Sequence, residues 1–451
     1  MNIIYISSEC FPFAKTGSLA DVVSKLAKDI EKEGHNVKIF IPRYGSTDPT
    51  SYQIERLPTD FYVDFNGNDI PTSVYKGILP DSLAGIFFIE SQYHFSNSKE
   101  IYLSEVQNEE RFKFFSHACL KIISKLGFNP DIIHIFNSHT LEISYHKNTS
   151  LVLTLNNISD IKGSILKKTR DAINHCDLIT TGSDGFKNEL LSDTHKTGLE
   201  DVLINKRGRF CGILIPPDED IYNPETDKSI AQNYSKSYFS IGKKKCKEDL
   251  LEFLNLENNL QIPLFSTISC FKYNKGIDVL IETLHQLADL NIQFVVVGKG
   301  EYTYEQELTK IGAKYKNIKV CIGYNYNFSK KVYAASDFFI STTRYNSTGL
   351  ALLNAMKYGS IPIAYATGAV KEIVTDYNQN SEYGNGFTYT KLTKEDLMES
   401  IINALKLYKN KEKWPSLVKQ AMSFDAIKLN STGKYINCYK EILSLPANVY
   451  Q

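Results

Sequence analysis

Five short stretches of this chain place lysine, hydroxyl or glycine residues directly behind an apolar run. Lys15, Gly17 and Ser18 lie in FAKTGSLADVVSKL, behind NIIYIS. Lys272 and Lys275 lie in CFKYNKG, behind PLFSTIS, and Gly298 and Gly300 end IQFVVVGKG. Ser347, Thr348 and Gly349 lie in TTRYNSTGLALLNAMKYG, and Thr367 and Gly368 in ATGAVKEIV. Glycine lets a backbone approach a ligand closely. A helix N-terminus offers free N–H groups and the positive end of its dipole, and lysine adds a point charge. Together they can hold a phosphate. Taken singly, each stretch reads equally well as a plain strand-to-helix turn with a solvated lysine. Four such junctions in one half of the chain favour a phosphate or nucleotide site.

The elements that must position these residues follow from periodicity. MNIIYIS reads as a strand. Leu19, Val22, Val23, Leu26 and Ile30 then recur on one helical face, and GHNVKIFIP is the next strand. PDIIHIF, SLVLTL and HCDLITTGS add short buried strands, the last followed by a helix from about Asp184. A polar stretch, Tyr222 to Lys247, reads as a linker leading into a helix. The same syntax restarts at Pro263. PLFSTIS is a strand, Ile277, Leu280, Ile281, Leu284 and Leu287 face one side of a helix, and IQFVVVGKG, DFFISTT and SIPIAYA are further strands. The stretch from about Ser416 to Leu445 reads as helical. This alternation predicts two doubly wound α/β halves, with ligands at the carboxyl ends of the strands and a cleft between the halves.

Composition narrows the function. A chain of 451 residues exceeds one ordinary core. Its 51 basic and 51 acidic residues balance, which argues against nucleic acid as a partner. No apolar run approaches the ~20 residues of a membrane span, and the chain opens on a strand with no signal peptide in view. The 8 Cys lack any CxxC pair, as expected of reduced thiols in a cytoplasmic protein. The 9 His lack HExxH spacing, so no metal is expected.

Taken together these stretches resemble the bacterial glycogen synthase and plant starch synthase family, retaining glycosyltransferases of the GT-B fold that use ADP-glucose or UDP-glucose. The family's SSE-x-x-P-x-x-KTGGLADV stands here as SSECFPFAKTGSLADV. Its PDVVHAHDWH is matched by PDIIHIFNSH, its VFTxHN by VLTLNN, and its SRLTxQKGLDL by SCFKYNKGIDVL. Its PSRFEPCGLxQLYAMRYG corresponds to STTRYNSTGLALLNAMKYG. The resemblance covers nearly the whole chain. It implies an N-terminal, acceptor-side domain over 1–225, a nucleotide-sugar domain over 226–425, and a C-terminal helix over 426–451 crossing back to the first domain. It implies that Lys15 and the Gly17 loop face the sugar nucleotide, that Lys275 and His139 belong to the catalytic set, and that the substrates are a nucleotide sugar and an α-glucan with no further cofactor.

Several positions depart from the family pattern. Where the resemblance implies an Arg beside the diphosphate, Cys270 stands; losing one such preorganised cation costs ~3 kcal/mol. Asn346 replaces a Glu that holds donor-sugar hydroxyls, Asn137 an Asp, Ser138 a Trp and Asn156 a His. The segment following Asn157, which shapes the acceptor side in the family, is shorter here. Lys272 is a candidate substitute for the missing cation. Two readings remain open at this point: an α-glucan synthase with weakened or lost catalysis, or a non-catalytic binding partner of a competent synthase paralogue. A phosphorylase or an epimerase finds no support, the former lacking a pyridoxal lysine in its own context.

Overall fold

The computed structural model describes residues 1–143, 149–159, 161–323, 325–424 and 429–444. The chain forms two compact units: Met1–Ile215 together with the C-terminal residues from Leu429, and Pro216–Lys428. The cut falls at Pro216, ahead of the 225/226 position read from the sequence.

In the first unit the strands are β1 Asn2–Ile6, β2 Asn36–Pro42, β3 Glu55–Arg56, β4 Phe61–Phe65, β5 Asn68–Ile78, β6 Gly85–Glu90, β7 Ile132–Phe136, β8 Ser150–Thr154, β9 Leu178–Thr181 and β10 Phe210–Gly212. They form a ten-stranded sheet in the order β10-β9-β8-β7-β1-β2-β6-β5-β3, with β4 pairing β5. The core from β10 to β6 is parallel, and β3, β4 and β5 add an antiparallel edge. That edge contains the Asn66-Gly67 turn, with both residues at positive φ (52° and 77°), the geometry a two-residue hairpin demands. Strand β1 sits between β7 and β2, so chain connections leave in opposite directions on its two sides, and a crevice forms at the carboxyl ends there.

Helices α1 Ser18–Lys32, α2 Glu105–Lys125, α3 Gly163–His175, α4 Asp184–Leu190 and α5 Glu200–Asn205 belong to this unit. In the second unit, α6 Phe239–Phe253 leads into β11 Leu264–Phe271, α7 Ile277–Leu287, β12 Gln293–Gly300, α8 Tyr302–Lys314, β13 Ile318–Ile322, α9 Tyr326–Ala335, β14 Phe338–Ser341, α10 Leu350–Lys357, β15 Ile361–Tyr365, α11 Val370–Ile373, β16 Phe387–Tyr389, α12 Lys394–Tyr408 and α13 Lys413–Met422. Its sheet is wholly parallel, in the order β13-β12-β11-β14-β15-β16, so its switch point lies between β11 and β14. The polar stretch before β11 is partly helical: Lys243 of α6 is buried and donates to the carbonyls of Ala334, Ser336 and Tyr358, the trailing ends of α9 and α10. Burial pulls its ammonium down to about 8.

Among the described residues, the C-terminal helical stretch contains two α-helices. α13 belongs to the second unit, and α14, Ser431–Ser444, packs in the first. Residues 425–428 and Leu445, within the expected run, lie outside the described residues. Tyr439 of α14 shares hydrogen bonds with His134 Nδ1 at 2.7 Å and with the Tyr5 hydroxyl at 3.3 Å. His134 Nε2 meets Thr154 Oγ1 at 2.6 Å, and Thr154 meets Thr180 at 2.6 Å. This polar chain under the sheet holds the helix against β1, β7, β8 and β9. Its members are fully buried, so every partner matters.

Burial pushes His134 down to about 3, from an ordinary 6.5. The neutral imidazole is therefore the native form. Its contribution is fully present above pH 6.5 and is lost as pH falls from there towards 3, because the unfolded chain takes up the proton first. We predict that His134→Gln reduces the slope of unfolding free energy against pH, between pH 6 and 4, by about 1.4 kcal/mol per pH unit, the signature of one proton. Denaturant titrations at several pH values measure it; parallel curves would remove His134 from the acid response.

Candidate functional site

The loop after β1 is closed by its own sequence. Glu9, only 2% exposed, turns its carboxylate onto the following turn. It accepts from the Thr16 N–H at 2.5 Å, the Thr16 hydroxyl at 2.8 Å and the Gly17 N–H at 3.3 Å. Free N–H groups at the start of α1 attract an anion, and here a buried carboxylate of the chain supplies it. Lys15 is ion-paired with Asp21 at 2.6 Å, its side chain 9% exposed. Gly17 has an extended backbone (φ −151°), and a Cβ there would meet nothing within 4 Å. Ser18 is exposed. The turn thus presents a small, open surface whose charges are already matched at Glu9 and Lys15.

Tyr102 links this turn to the loop after β7. Its hydroxyl donates to Glu9 Oε1 at 2.7 Å, and its ring lies 4.9 Å from that of His139. His139 also packs edge-on against Phe112 at 4.8 Å. Beside it, Asn137 adopts φ 61° and ψ −178°, a conformation that costs a non-glycine residue about 1–3 kcal/mol. Its Oδ1 accepts from the N–H groups of Asn156 and Asn157 at 3.0 and 3.3 Å, which pins the loop after β8 to the loop after β7. The Oδ1 of Asn156 is buried and finds no hydrogen-bond partner among the described residues. Strain and an unmet acceptor, adjacent at a switch point, are features of a binding edge rather than of a settled core.

In the second unit the loops after β11, β12, β14 and β15 share one edge of the sheet. After β11 the chain makes one tight turn, Tyr273–Lys275, and Gly276 takes a left-handed conformation (φ 66°) to start α7. A Cβ on Gly276 would lie 2.0 Å from the Thr342 carbonyl oxygen, so only glycine fits. The Thr342 hydroxyl donates to the Lys275 carbonyl at 2.8 Å, and the Arg344 N–H donates to the Asn274 carbonyl at 3.0 Å. Arg344 lies 3.8 Å over the Tyr273 ring and makes a two-pronged pair with Asp278 at 2.7 and 2.8 Å. Burial alone pushes the Asp278 carboxyl up, but hydrogen bonding and charge from Arg344 outweigh it, so the group ends below the ordinary range and the pair is ionised at neutral pH. The backbone of Lys275 is therefore clamped over the switch point.

The other residues singled out from sequence on this edge have mixed roles. Ser347 and Thr348 are buried just ahead of α10, which Gly349 opens at φ 61°. Asn346 Oδ1 accepts from the Gly349 N–H at 2.9 Å, and its carbonyl from the Ala369 N–H at 2.8 Å. Thr367 is buried and donates to the Arg344 carbonyl at 3.2 Å, next to Gly368 at φ 52°. Cys270, next to last in β11, is half-buried, and Lys272 is exposed. Gly298 is a packing glycine, since a Cβ there would meet the Ser269 carbonyl oxygen at 1.9 Å. Glu9, Tyr102, Asp278 and Arg344 were not singled out from sequence; Arg344 carried a signal, a lone cation within a Ser-Thr-Gly junction. Among the described residues no cluster of three His, Cys, Asp or Glu is arranged to hold a metal, and no helix is long and apolar enough to cross a membrane.

Residues 2–205 match the family model "Starch synthase catalytic domain", and residues 243–420 match "Glycosyl transferases group 1". The chain is 32% identical to the glycogen synthase of Clostridioides difficile strain 630, covering 98% of this chain and 100% of that one. It is also 32% identical to the glycogen synthase of Mycoplasma mobile, over 93% of this chain and 95% of that one. Among solved structures, the catalytic domain of starch synthase IV from Arabidopsis thaliana, bound to ADP and acarbose, superposes with a TM-score of 0.91 at 25% identity, over 98% of this chain and 99% of that one. A sucrose-phosphate synthase from Thermosynechococcus elongatus shares the fold, with a TM-score of 0.67 at 13% identity over 98% of this chain and 100% of that one.

The Gly276 contact gives a direct test of the clamp. Gly276→Ala combines a left-handed alanine with a collision against backbone, so it should lower stability by about 2 kcal/mol or more. Amide exchange at Asn274–Ile277 should quicken with it. Unchanged exchange and stability would mean the turn is not fixed by this packing.

Proposed function

The chain belongs to the glycogen and starch synthase family of GT-B glycosyltransferases, and from that premise we propose that it takes glucose from a nucleoside diphosphate glucose to an α-1,4-glucan at a strongly reduced rate. The observation that supports this reading best is the clamped turn that carries Lys275 at the β11/β14 switch point. In the proposed reaction the bond from the anomeric carbon to the diphosphate breaks, and the diphosphate oxygen keeps the electron pair. A hydroxyl of the glucan bonds to that carbon and gives its proton to the departing diphosphate oxygen, and the α configuration is retained. Charge grows on the leaving diphosphate, and the role proposed for Lys275 is to meet it. Ser347, Thr348 and Gly349 at the start of α10, Thr367 and Gly368 in the loop after β15, and Gly298 near the tip of β12 are assigned to the donor edge. On the first unit, Lys15, Gly17, Ser18, His139, Asn137 and Asn156 form the edge assigned to sugar hydroxyls. Because the Arabidopsis relative holds ADP, ADP-glucose is the proposed donor, and UDP-glucose is assayed beside it.

The reduced rate rests on four side chains. Cys270 brings no charge to the diphosphate. The side-chain oxygens of Asn346 and Asn137 are engaged by backbone N–H groups, and Asn156 supplies a neutral amide. If two such positions cost ~2–4 kcal/mol each, transfer slows ~10³- to 10⁶-fold, less where the groups act as one unit. The engaged Asn346 and Asn137 also favour a second reading, in which the chain binds nucleotide sugar or glucan without turning it over and serves a competent synthase paralogue.

Transfer of labelled glucose from ADP-glucose and UDP-glucose to glycogen, with calorimetric titration of ADP, tests both. ADP should bind, Lys275→Ala should weaken it by about 1–3 kcal/mol, and turnover should be slow. The combined variant Cys270→Arg, Asn346→Glu, Asn137→Asp, Asn156→His should turn over faster than the wild type. Rapid wild-type transfer would contradict the reduced rate. A wild type that binds ADP but transfers no glucose, with a combined variant that transfers none either, would favour the binding partner. Absence of nucleotide binding would remove the donor site.

A further inference from the structure

The tip of β12 carries a lysine between two glycines, and the ladder fixes where it sits. In the parallel pair β11–β12, Ser269 is in register with Gly298, Cys270 with Lys299 and Phe271 with Gly300. Successive residues of a strand point to opposite faces, and register partners of adjacent strands, about 4.8 Å apart, share a face. Lys299 and Cys270 therefore leave the sheet on one side. The other side explains the glycines. A Cβ on Gly298 would lie 1.9 Å from the Ser269 carbonyl oxygen and 2.7 Å from the Phe271 ring, and one on Gly300 would lie 2.2 Å from the Phe271 carbonyl oxygen. The two glycines let the β12 tip close onto the end of β11. They bring Lys299, which is exposed, alongside the residue that precedes the Lys275 turn.

We infer that Lys299 is a second donor-binding cation, which shares the diphosphate of the nucleotide sugar with Lys275 from across the strand pair. This rests on the proposed donor site. A diphosphate carries more than one negative charge, and gains more as the sugar leaves, so two cations spread it better than one alone. Cys270, the register partner, contributes none. The start of α8 does not meet the phosphate either, because Glu305 Oε1 accepts from the Gly300 N–H at 2.8 Å and places a carboxylate there. Arg344 is committed to Asp278 and to Tyr273. Lys272 lies one residue beyond the last pair of the ladder, Phe271 with Gly300, where its N–H returns to the Cys270 carbonyl at 3.0 Å, so no register partner on β12 fixes its face.

Calorimetric titration of ADP into the full chain tests this, with wild type, Lys299→Met, Lys299→Arg, Lys272→Met and the double variant Cys270→Arg/Lys299→Met. Lys299→Met should weaken ADP binding ~10-fold or more, with an unchanged thermal midpoint because the side chain is exposed. Lys299→Arg should stay near wild type, and Cys270→Arg should recover most of the loss by returning a cation to the same face. Wild-type affinity in Lys299→Met, or a loss that appears only in Lys272→Met, overturns the assignment of Lys299 and leaves the donor site standing. A wild type that binds neither ADP nor UDP overturns the donor site itself, and Lys299 with it.

Discussion

The Thr342 carbonyl oxygen occupies the space where Gly276 would carry a Cβ, and the loops at the switch point of the second unit are organised around that contact. β11 and β14 are neighbours in the sheet, but their connections run to opposite sides. The loops leaving them have only one place to meet, directly above the strand ends. Without a side chain at 276 the two backbones close on each other, and the Thr342 hydroxyl and the Arg344 N–H complete the seam. Arg344 then reaches across to Asp278 and lies on Tyr273, which secures the turn from its outer side. A lysine on such a turn is presented by rigid backbone, which is the condition for electrostatic stabilisation without reorganisation.

The first unit solves the same topological problem differently. Its switch point is also flanked by a strand-to-helix turn, but Glu9 fills the N–H cradle that an external anion would otherwise use, and Asp21 neutralises Lys15. What remains at that edge is neutral: a half-buried imidazole tilted against the Tyr102 ring, and three asparagines, of which Asn137 accepts from the backbone N–H groups of the other two. An edge of amides and a ring suits hydroxyl groups, and an edge of lysines and helix-opening glycines suits phosphate. The proposed division of labour between the units follows from that contrast.

Much of this was legible in the sequence. Buried parallel strands announce themselves as short β-branched runs, and the helical face of Ile277, Leu280, Ile281, Leu284 and Leu287 is buried throughout α7. The antiparallel edge β3–β5 escaped, although Asn66-Gly67 between alternating segments is a strong hairpin signal. Lys243, in a run of three lysines, reads as solvated, yet it is spent on three helix-end carbonyls, a tertiary role that local pattern does not reveal. Glu9 was hidden for the same reason: a carboxylate next to a Lys-Thr-Gly turn reads as surface charge until the fold buries it. The junctions with glycine were visible as junctions. Their chemistry was not, because Gly276 and Gly298 serve close backbone packing, and Gly17 sits in open space.

The most direct measurement of the central claim is backbone amide exchange along the whole chain with and without saturating ADP. Protection should concentrate at Lys272–Gly276, at Gly298–Gly300 and at Ser347–Leu350, the three loops over the second unit's switch point. Protection at the β16 edge instead, or no protection anywhere at concentrations where calorimetry detects binding, would contradict it.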